Sequence, residues 1–367
     1  MTEGPSNNED AGALERLGFD RFRALFAEYA AAGLEPARVV RTIRGHVWVG
    51  LSAGVTRVSP AGNIAGGDRD AAHPVVGDWV AVRPGDTDSP AVVEALLPRR
   101  SAFVRRDPGK AAVGQVLAAN IDTVFIVAGL DIGPNPRRIE RELALAWESG
   151  AVPVVVLSKS DLIDDPEAAI AAVHAVAPGV DVILESAKTG VGLAELLAYA
   201  DGNRTVALIG PSGAGKSTLV NRLVGGDIQA VAEVRAFDAK GRHTTVTRDL
   251  VPLPNGGVLI DTPGLRAVAM WGEEEGVDAT FSEISELAAH CRFDDCSHET
   301  EPGCAVLAAL AAGDLDRGRY DAYITLRHES AAQSKQKEAR LRAAADPDRA
   351  KPNAKAPRVR HADKYSD

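Results

Sequence analysis

One eight-residue segment restricts this chain more than any other. Gly210-Pro-Ser-Gly-Ala-Gly-Lys-Ser217 fits the pattern G-x-x-x-x-G-K-[ST]. Its flanks have the required texture: the apolar run TVALIG (205–210) reads as a buried strand, and STLVNRLVG (217–225) reads as a helix. Gly210, Gly213 and Gly215 let backbone N–H groups converge on phosphate oxygens, with Pro211, Ser212 and Ala214 completing the turn. The N-terminus of the helix adds a favourable dipole. Lys216 is placed to neutralise β- and γ-phosphates, Ser217 to ligate Mg²⁺, and Thr218 belongs to the same first turn. A loop of this type works only at the end of a strand in a parallel sheet covered by helices, so it sets the fold class around it.

The surrounding sequence supplies that sheet. From about Asn120 the apolar runs DTVFIVAGL, VPVVVLS, DVILE and TVALIG alternate with the helical runs RRIERELALAWESG, PEAAIAAVHAVA and LAELLAYA. Upstream the texture differs. Residues 1 to about 11 read as unstructured, and Leu14 to Ala32 shows helical spacing through Leu14, Leu17, Phe22, Leu25 and Phe26. From Ala37 to about Val104 short β-like runs (RVVRTIRGHVWVGL, GVTRVSP, GDWVAVRP, AVVEALLP) are punctuated by Gly, Pro, Asp and Asn. A small sandwich or barrel fits them, with an OB-like barrel preferred. After about Val268 the chain turns helical, and beyond Ser334 an Ala-, Lys- and Arg-rich helix is expected to fray past Pro347.

The expected architecture is multi-domain: an N-terminal extension (1–36), an OB-like β-barrel (37–110), a central α/β P-loop domain (111–270), a mainly α zinc-binding domain (271–333) and a basic tail (334–367).

Base choice is written upstream of the phosphate loop. Ser158-Lys-Ser-Asp161 ends the strand VPVVVLS, and Asp161 offers a carboxylate able to accept from both the ring N–H and the exocyclic amine of guanine. The stem of Lys159 would pack over the base. Ser186-Ala187-Lys188 ends the next strand and would present a backbone N–H to the guanine O6. Asp261-Thr-Pro-Gly264 follows the apolar strand GGVLI, so Asp261 would organise Mg²⁺ and the Gly264 amide would sense the γ-phosphate. Ordinary GTPases place their phosphate motifs before their base motifs. Here the order is reversed, which describes a circular permutation of the same sheet and pocket.

The three cysteines lie within fourteen residues, in C-x₄-C-x-H-x₅-C: Cys291, Cys296, His298 and Cys304. Three thiolates and an imidazole make a closed tetrahedral set, the structural type of Zn²⁺ site. His290 stands nearby as a second candidate ligand. Composition enters at this point. The net charge of −10 argues against nucleic acid, yet Ala37–Lys110 carries eleven basic against seven acidic residues, and Ser334–Lys364 carries ten against four. Two basic regions therefore flank an acidic middle, and clustered positive charge can contact phosphates on an acidic protein. No apolar run reaches the roughly 20 residues of a membrane span, and the polar start is no secretory signal, so a cytoplasmic protein is expected.

With these motifs in place the chain resembles the ribosome small-subunit-dependent GTPases, the RsgA family (also called YjeQ or YloQ). The resemblance runs from about Ala37 to about Ser330. It rests on the permuted order, on GRHTTV (241–246), DTPGLR (261–266) and CRFDDCSHETEPGC (291–304). It points to His298 rather than His290 as the fourth zinc ligand. It implies ribosome-stimulated hydrolysis of GTP to GDP, late maturation of the small subunit, and contact with its rRNA by a monomer. The position after Gly264 is Leu265, which cannot orient water as the glutamine of many GTPases does. His243, in the segment resembling the family's proposed catalytic loop, is the replacement expected, with Thr244 or Thr245 on Mg²⁺. Ser158 departs from the family, which more often has Asn or Thr there. Three other readings fit parts of the sequence: a P-loop ATPase or kinase, an RNA-associated zinc protein with a structural nucleotide site, and a permuted GTPase acting on the large subunit. Asp161 discriminates the first, Leu265 lends the second some support until turnover is measured, and the β-domain with the zinc cluster argues against the third.

Overall fold

The computed structural model describes residues 7–43, 46–65, 73–85, 89–106, 114–226, 248–261 and 274–345.

The apolar runs form the central sheet. Every residue of β8 (Thr123–Gly129) and β11 (Thr205–Ile209) is buried, because helices cover both faces. Around them lie β9 (Val152–Ser158), β10 (Val182–Leu184) and β13 (Val258–Asp261), in the parallel order β10-β9-β8-β11-β13. β12 (Arg248–Pro252) joins β13 antiparallel. The connecting helices are α3 (Pro136–Glu148), α4 (Glu167–His174), α5 (Leu193–Ala198) and α6 (Lys216–Val224). α3 starts where Pro136 follows Asn135, whose side chain caps the Arg138 N–H.

Upstream, β1 (Glu35–Ile43), β2 (His46–Leu51), β3 (Gly54–Ala65), β4 (Trp79–Arg83) and β5 (Val92–Leu96) run in the order β1-β2-β3-β5-β4, and β4 returns to β1. This closed five-stranded ring is the OB-like barrel expected. Small and branched residues fill it, among them Val39, Val49, Val80, Val82 and Val93. β12 also pairs with β1, so barrel and central sheet form one continuous hydrogen-bonded sheet of eleven strands. A separate ribbon, β6 (Ala102–Arg106) with β7 (Gly114–Ala119), inserts Phe103 and Leu117 into the core beneath α3.

The N-terminal helical run is broken. α1 (Asn7–Arg16) and α2 (Arg23–Ala31) are separated at Gly18, whose φ of 91° no continuing helix allows. The break lets Phe19 and Phe22 both pack on Trp79, with ring centroids 5.2 and 5.6 Å away. α1 begins at Asn7, earlier than the unstructured reading of residues 1 to about 11. Leu14, anchored in the cluster around Trp79, secures the helix, and extending an anchored helix costs far less than nucleating one.

The C-terminal part is helical: α7 (Glu274–Thr280), α8 (Ser282–Ala288), α9 (Ala305–Ala312) and α10 (Arg317–Ala345). Its core of Val277, Phe281, Ile284, Val306, Tyr323 and Leu326 continues into Ala144 and Leu145 of α3. Arg319 fastens the junction. It is 7% exposed, and its guanidinium donates to Glu140 of α3 (3.0 Å), to Glu283 (2.6 Å), and to the carbonyls of Thr280 and Val176.

Candidate functional site

The C-terminal strand ends gather the expected residues on one side of the sheet. β11 ends at Ile209, and the loop 210–215 wraps into the first turn of α6. At Gly210 φ is 134°, and a Cβ there would stand 2.3 Å from the Val127 carbonyl of β8, so glycine is obligatory. Ala214 is buried, while Ser212, Gly213, Ser217 and Thr218 are exposed at the mouth of the loop. Lys216 is buried, and its ammonium donates to the carbonyls of Gly210 and Pro211.

Ser158 ends β9 and is 1% exposed. Its hydroxyl donates to the Ala214 carbonyl at 2.6 Å, so it ties the base-side strand directly to the phosphate loop. The position that departs from the family's more usual Asn or Thr thus retains a bridging hydrogen bond. Lys159 follows in the left-handed region (φ 61°), which turns its side chain across the loop. Its Cε lies 3.8 Å from where a Cβ on Gly215 would stand. The Lys159 ammonium is held by Asp131 at 2.6 Å.

Asp161 and Ser186 meet where β9 and β10 end. The Ser186 hydroxyl, fully buried, donates to Asp161 at 2.7 Å, and Lys188 stands 3.8 Å from the other carboxylate oxygen. The Ser186 hydrogen bond is the chief reason that the Asp161 carboxyl lies below its ordinary pKa. Ionised, it offers the kind of acceptor that guanine's two donors require. Ala187 lies between Ser186 and Lys188 in this turn. Asp261 closes β13 one strand from the phosphate loop. His243, Thr244, Thr245 and Gly264 lie outside the described residues, as does Leu265.

The metal-ligand cluster assembles as the cysteine spacing suggests, with His298 and not His290 inside it. The ligand atoms of Cys291, Cys296, His298 and Cys304 all lie within 4.8 Å of one another. In a tetrahedral zinc site, bonds of about 2.3 Å to sulfur and about 2.0 Å to nitrogen place sulfurs about 3.8 Å apart and sulfur about 3.5 Å from nitrogen. Cys291 Sγ and Cys304 Sγ are 3.8 Å apart, and each is 3.5 Å from His298 Nδ1. The residues therefore fit a metal ion of that size. Backbone N–H groups at the start of α9 donate to sulfur, Ala305 to Cys291 and Leu307 to Cys304, which favours thiolates. His298 itself has φ 66°, and the Tyr320 hydroxyl donates to its carbonyl at 2.8 Å.

Several residues of the site carry no motif. Asp131, which holds Lys159, lies two residues beyond the end of β8, where ligand-side residues of α/β sheets gather. That rule was the one signal that could have found it. Glu185, beside Ser186, is 2% exposed, and burial together with the Asp161 charge pushes its carboxyl up to about 7. Glu142 of α3 is likewise pushed up to about 7 by burial, against the pull of Arg138 and Lys216. Neither has a sequence signature.

Comparison with known proteins agrees with this geometry. Residues 96–271 match the sequence profile of the RsgA GTPase family. The chain is 48% identical over 343 residues to the "Small ribosomal subunit biogenesis GTPase RsgA" of Streptomyces coelicolor, covering 92% of each chain. The crystal structure of YjeQ from Thermotoga maritima is similar with a TM-score of 0.61 at 26% identity, over 81% of this chain and 98% of that one. YloQ, described as a circularly permuted GTPase, shares the fold with a TM-score of 0.59 at 23% identity, over 81% and 95% respectively.

Proposed function

The chain belongs to the RsgA GTPase family, and from that premise we propose that it hydrolyses GTP while assisting the biogenesis of the small ribosomal subunit, its rRNA being the surface it reads. The observation that carries the reading is the union of base and phosphate elements in one place. Ser158 joins β9 to the phosphate loop at 2.6 Å, and Ser186 holds Asp161 ionised beside them.

Each residue has a task in that chemistry. Asp161 accepts from the guanine edge, the Lys159 stem covers the base, and the backbone of 186–188 meets the base oxygen. Gly210 to Gly215 and the start of α6 bind phosphate oxygens, with Thr218 in the same turn. Lys216 shifts from backbone carbonyls to the β- and γ-phosphates, the charge for which a buried ammonium is suited. Ser217, Asp261 and Thr244 or Thr245 would hold Mg²⁺, which neutralises charge developing on the transferred phosphoryl group. Gly264 would sense the γ-phosphate, and His243 would orient the attacking water. Cys291, Cys296, His298 and Cys304 would hold a zinc ion in a structural role, since a set of three thiolates and an imidazole is the closed, non-catalytic type.

The protein acts in the cytoplasm as a monomer in this reading, divided into the units 1–36, 37–110, 111–270, 271–333 and 334–367. No helix among the described residues is long and apolar enough to cross a membrane. The deciding experiment is GTP turnover with and without purified small subunits, with Lys216→Ala as the control. Strong stimulation by small but not large subunits, lost in the control, is the expected result; turnover indifferent to ribosomes would overturn the partner. Asp161→Asn is expected to relax guanine preference. A fully stimulated His243→Ala enzyme turning over at the wild-type rate would remove His243 from its role.

A further inference from the structure

The continuous sheet places five residues in a single cross-strand row. Asp261 of β13 lies opposite Asp249 of β12, Asp249 opposite Arg41 of β1, Arg41 opposite Trp48 of β2, and Trp48 opposite Arg57 of β3. Directly opposed residues of antiparallel strands point to one face with Cβ atoms about 4.5–5.5 Å apart. The row therefore starts at the proposed magnesium carboxylate and ends on the outside of the barrel.

Its chemistry changes along its length. Asp249 and Asp261 oppose each other with like charge, an arrangement that is unfavourable unless compensated. Arg41 compensates it: its Nε stands 2.5 Å from Asp249 Oδ1, with both side chains about three-quarters buried (28% and 24% exposed). On its other side Trp48 is half-exposed, edged by the exposed Arg57 and by His46, whose ring centroid is 6.2 Å from that of Trp48. An aromatic face between the guanidinium groups of Arg41 and Arg57 is what an unpaired base and its phosphates require. Arg41 sits between the two environments. While Nε keeps Asp249, its other N–H groups can take a phosphate oxygen. β12, which carries Asp249, begins three residues after Thr245 in the chain.

We propose that Arg41 is a positioning residue that couples the seating of a single RNA strand on the Trp48 face to the nucleotide site, acting through Asp249 and β12. A phosphate competing for the guanidinium alters its hold on Asp249, and β12 then settles differently against β13 and Asp261. This inference rests on the proposed function, since it supposes that ribosomal RNA stimulates turnover.

The test compares ribosome-free turnover, subunit-stimulated turnover and co-sedimentation with small subunits in the full-length chain. The variants are Arg41→Lys, Arg41→Gln, Asp249→Asn and the Gln/Asn double. Arg41→Lys, which keeps the charge and the pair, should retain stimulation within about twofold, whereas Arg41→Gln and Asp249→Asn should each lose about fivefold or more of it, the low end of ordinary coupling between sites. Ribosome-free turnover should stay within about twofold, and the double variant should be no worse than either single, the signature of one shared interaction. Wild-type stimulation in either single variant, or additive losses in the double, would overturn the coupling. So would a loss confined to Arg41→Gln that tracks weaker co-sedimentation, which would make Arg41 a phosphate contact alone. Absence of stimulation in the wild-type chain would instead strike the proposed function, together with everything built on it.

Discussion

Replacing Arg319 by methionine should loosen the whole C-terminal core, and by an amount that depends on pH. Methionine keeps an unbranched apolar stem beneath Phe281, over whose ring the guanidinium lies at 4.1 Å, but removes the charge and every donor. Glu140, 2% exposed, then loses its 3.0 Å partner and keeps only Arg137 at 3.5 Å, itself 55% exposed. The Thr280 and Val176 carbonyls lose their donors as well. Breaking a buried pair by removing one member typically costs about 3–5 kcal/mol, because the other charge is left uncompensated. Protonation limits that cost. Burial already raises the Glu140 carboxyl above its ordinary 4.5, with Arg319 pulling the other way, so removing Arg319 raises it further. A carboxyl raised in the folded state contributes stability that is complete below its unfolded pKa and is lost as pH rises through the folded one. The deficit of Arg319→Met relative to wild type should therefore be larger at mildly alkaline than at mildly acidic pH, and Glu140→Gln in the same chain should recover part of it. Urea unfolding of the zinc-loaded protein, with hydrogen exchange of α9 and α10 amides, measures both effects. A deficit under about 1 kcal/mol, the scale of exposed ion pairs, or one equal at both pH values would refute the reasoning.

Three other outcomes follow from the geometry. Ser158→Ala leaves the Ala214 carbonyl without its 2.6 Å donor, a loss of about 1 kcal/mol, so the GTP dissociation constant should rise about fivefold with kcat little changed; Ser158→Asn should restore binding in the same titration. Chelation, or Cys304→Ser, should release one zinc per chain and remove exchange protection from α9 before the central sheet, because Cys296 and Cys304 belong to the core around Phe281; metal analysis alongside exchange checks this. Glu185→Gln should flatten the stability profile: the native carboxyl, pushed up to about 7, contributes stability at acid pH that fades as pH climbs from about 4.5 through about 7, visible in Tm measured across that window.

The phosphate loop, the base motifs and the cysteine cluster were legible in the sequence because each is a local pattern with its chemistry compressed into a few residues. The barrel was legible as texture, since Val-rich alternation between turn residues describes a small closed sheet. What joins these parts was not. Arg319 binds Glu140 across 179 positions, and Arg38, buried against Trp79, reaches Thr205 across 167. In sequence both are solitary arginines indistinguishable from solvated ones. The broken helix at Gly18 was hidden for a related reason: Phe19, Phe22 and Phe26 keep helical spacing, and only the position of Trp79 explains why the chain turns between them. In sequence Ser158 shows only a departure in side-chain type, whereas its bond to Ala214 depends on how closely β9 approaches the loop.

The pairing of β1 with β12 has a consequence for how the protein stays dispersed. A sheet ends in unsatisfied backbone donors and acceptors, which invite another chain to add a strand. At one end the central sheet finishes in β10, only three residues long, which offers little to pair with. At the other end β12 would be the exposed edge, but β1 of the barrel pairs with it at Arg248 and Asp249, and the barrel then closes on itself through β1 and β4. The barrel is thus a guard against self-association as well as the proposed surface for RNA, and a chain trimmed to the nucleotide domain alone would carry a sticky margin along β12.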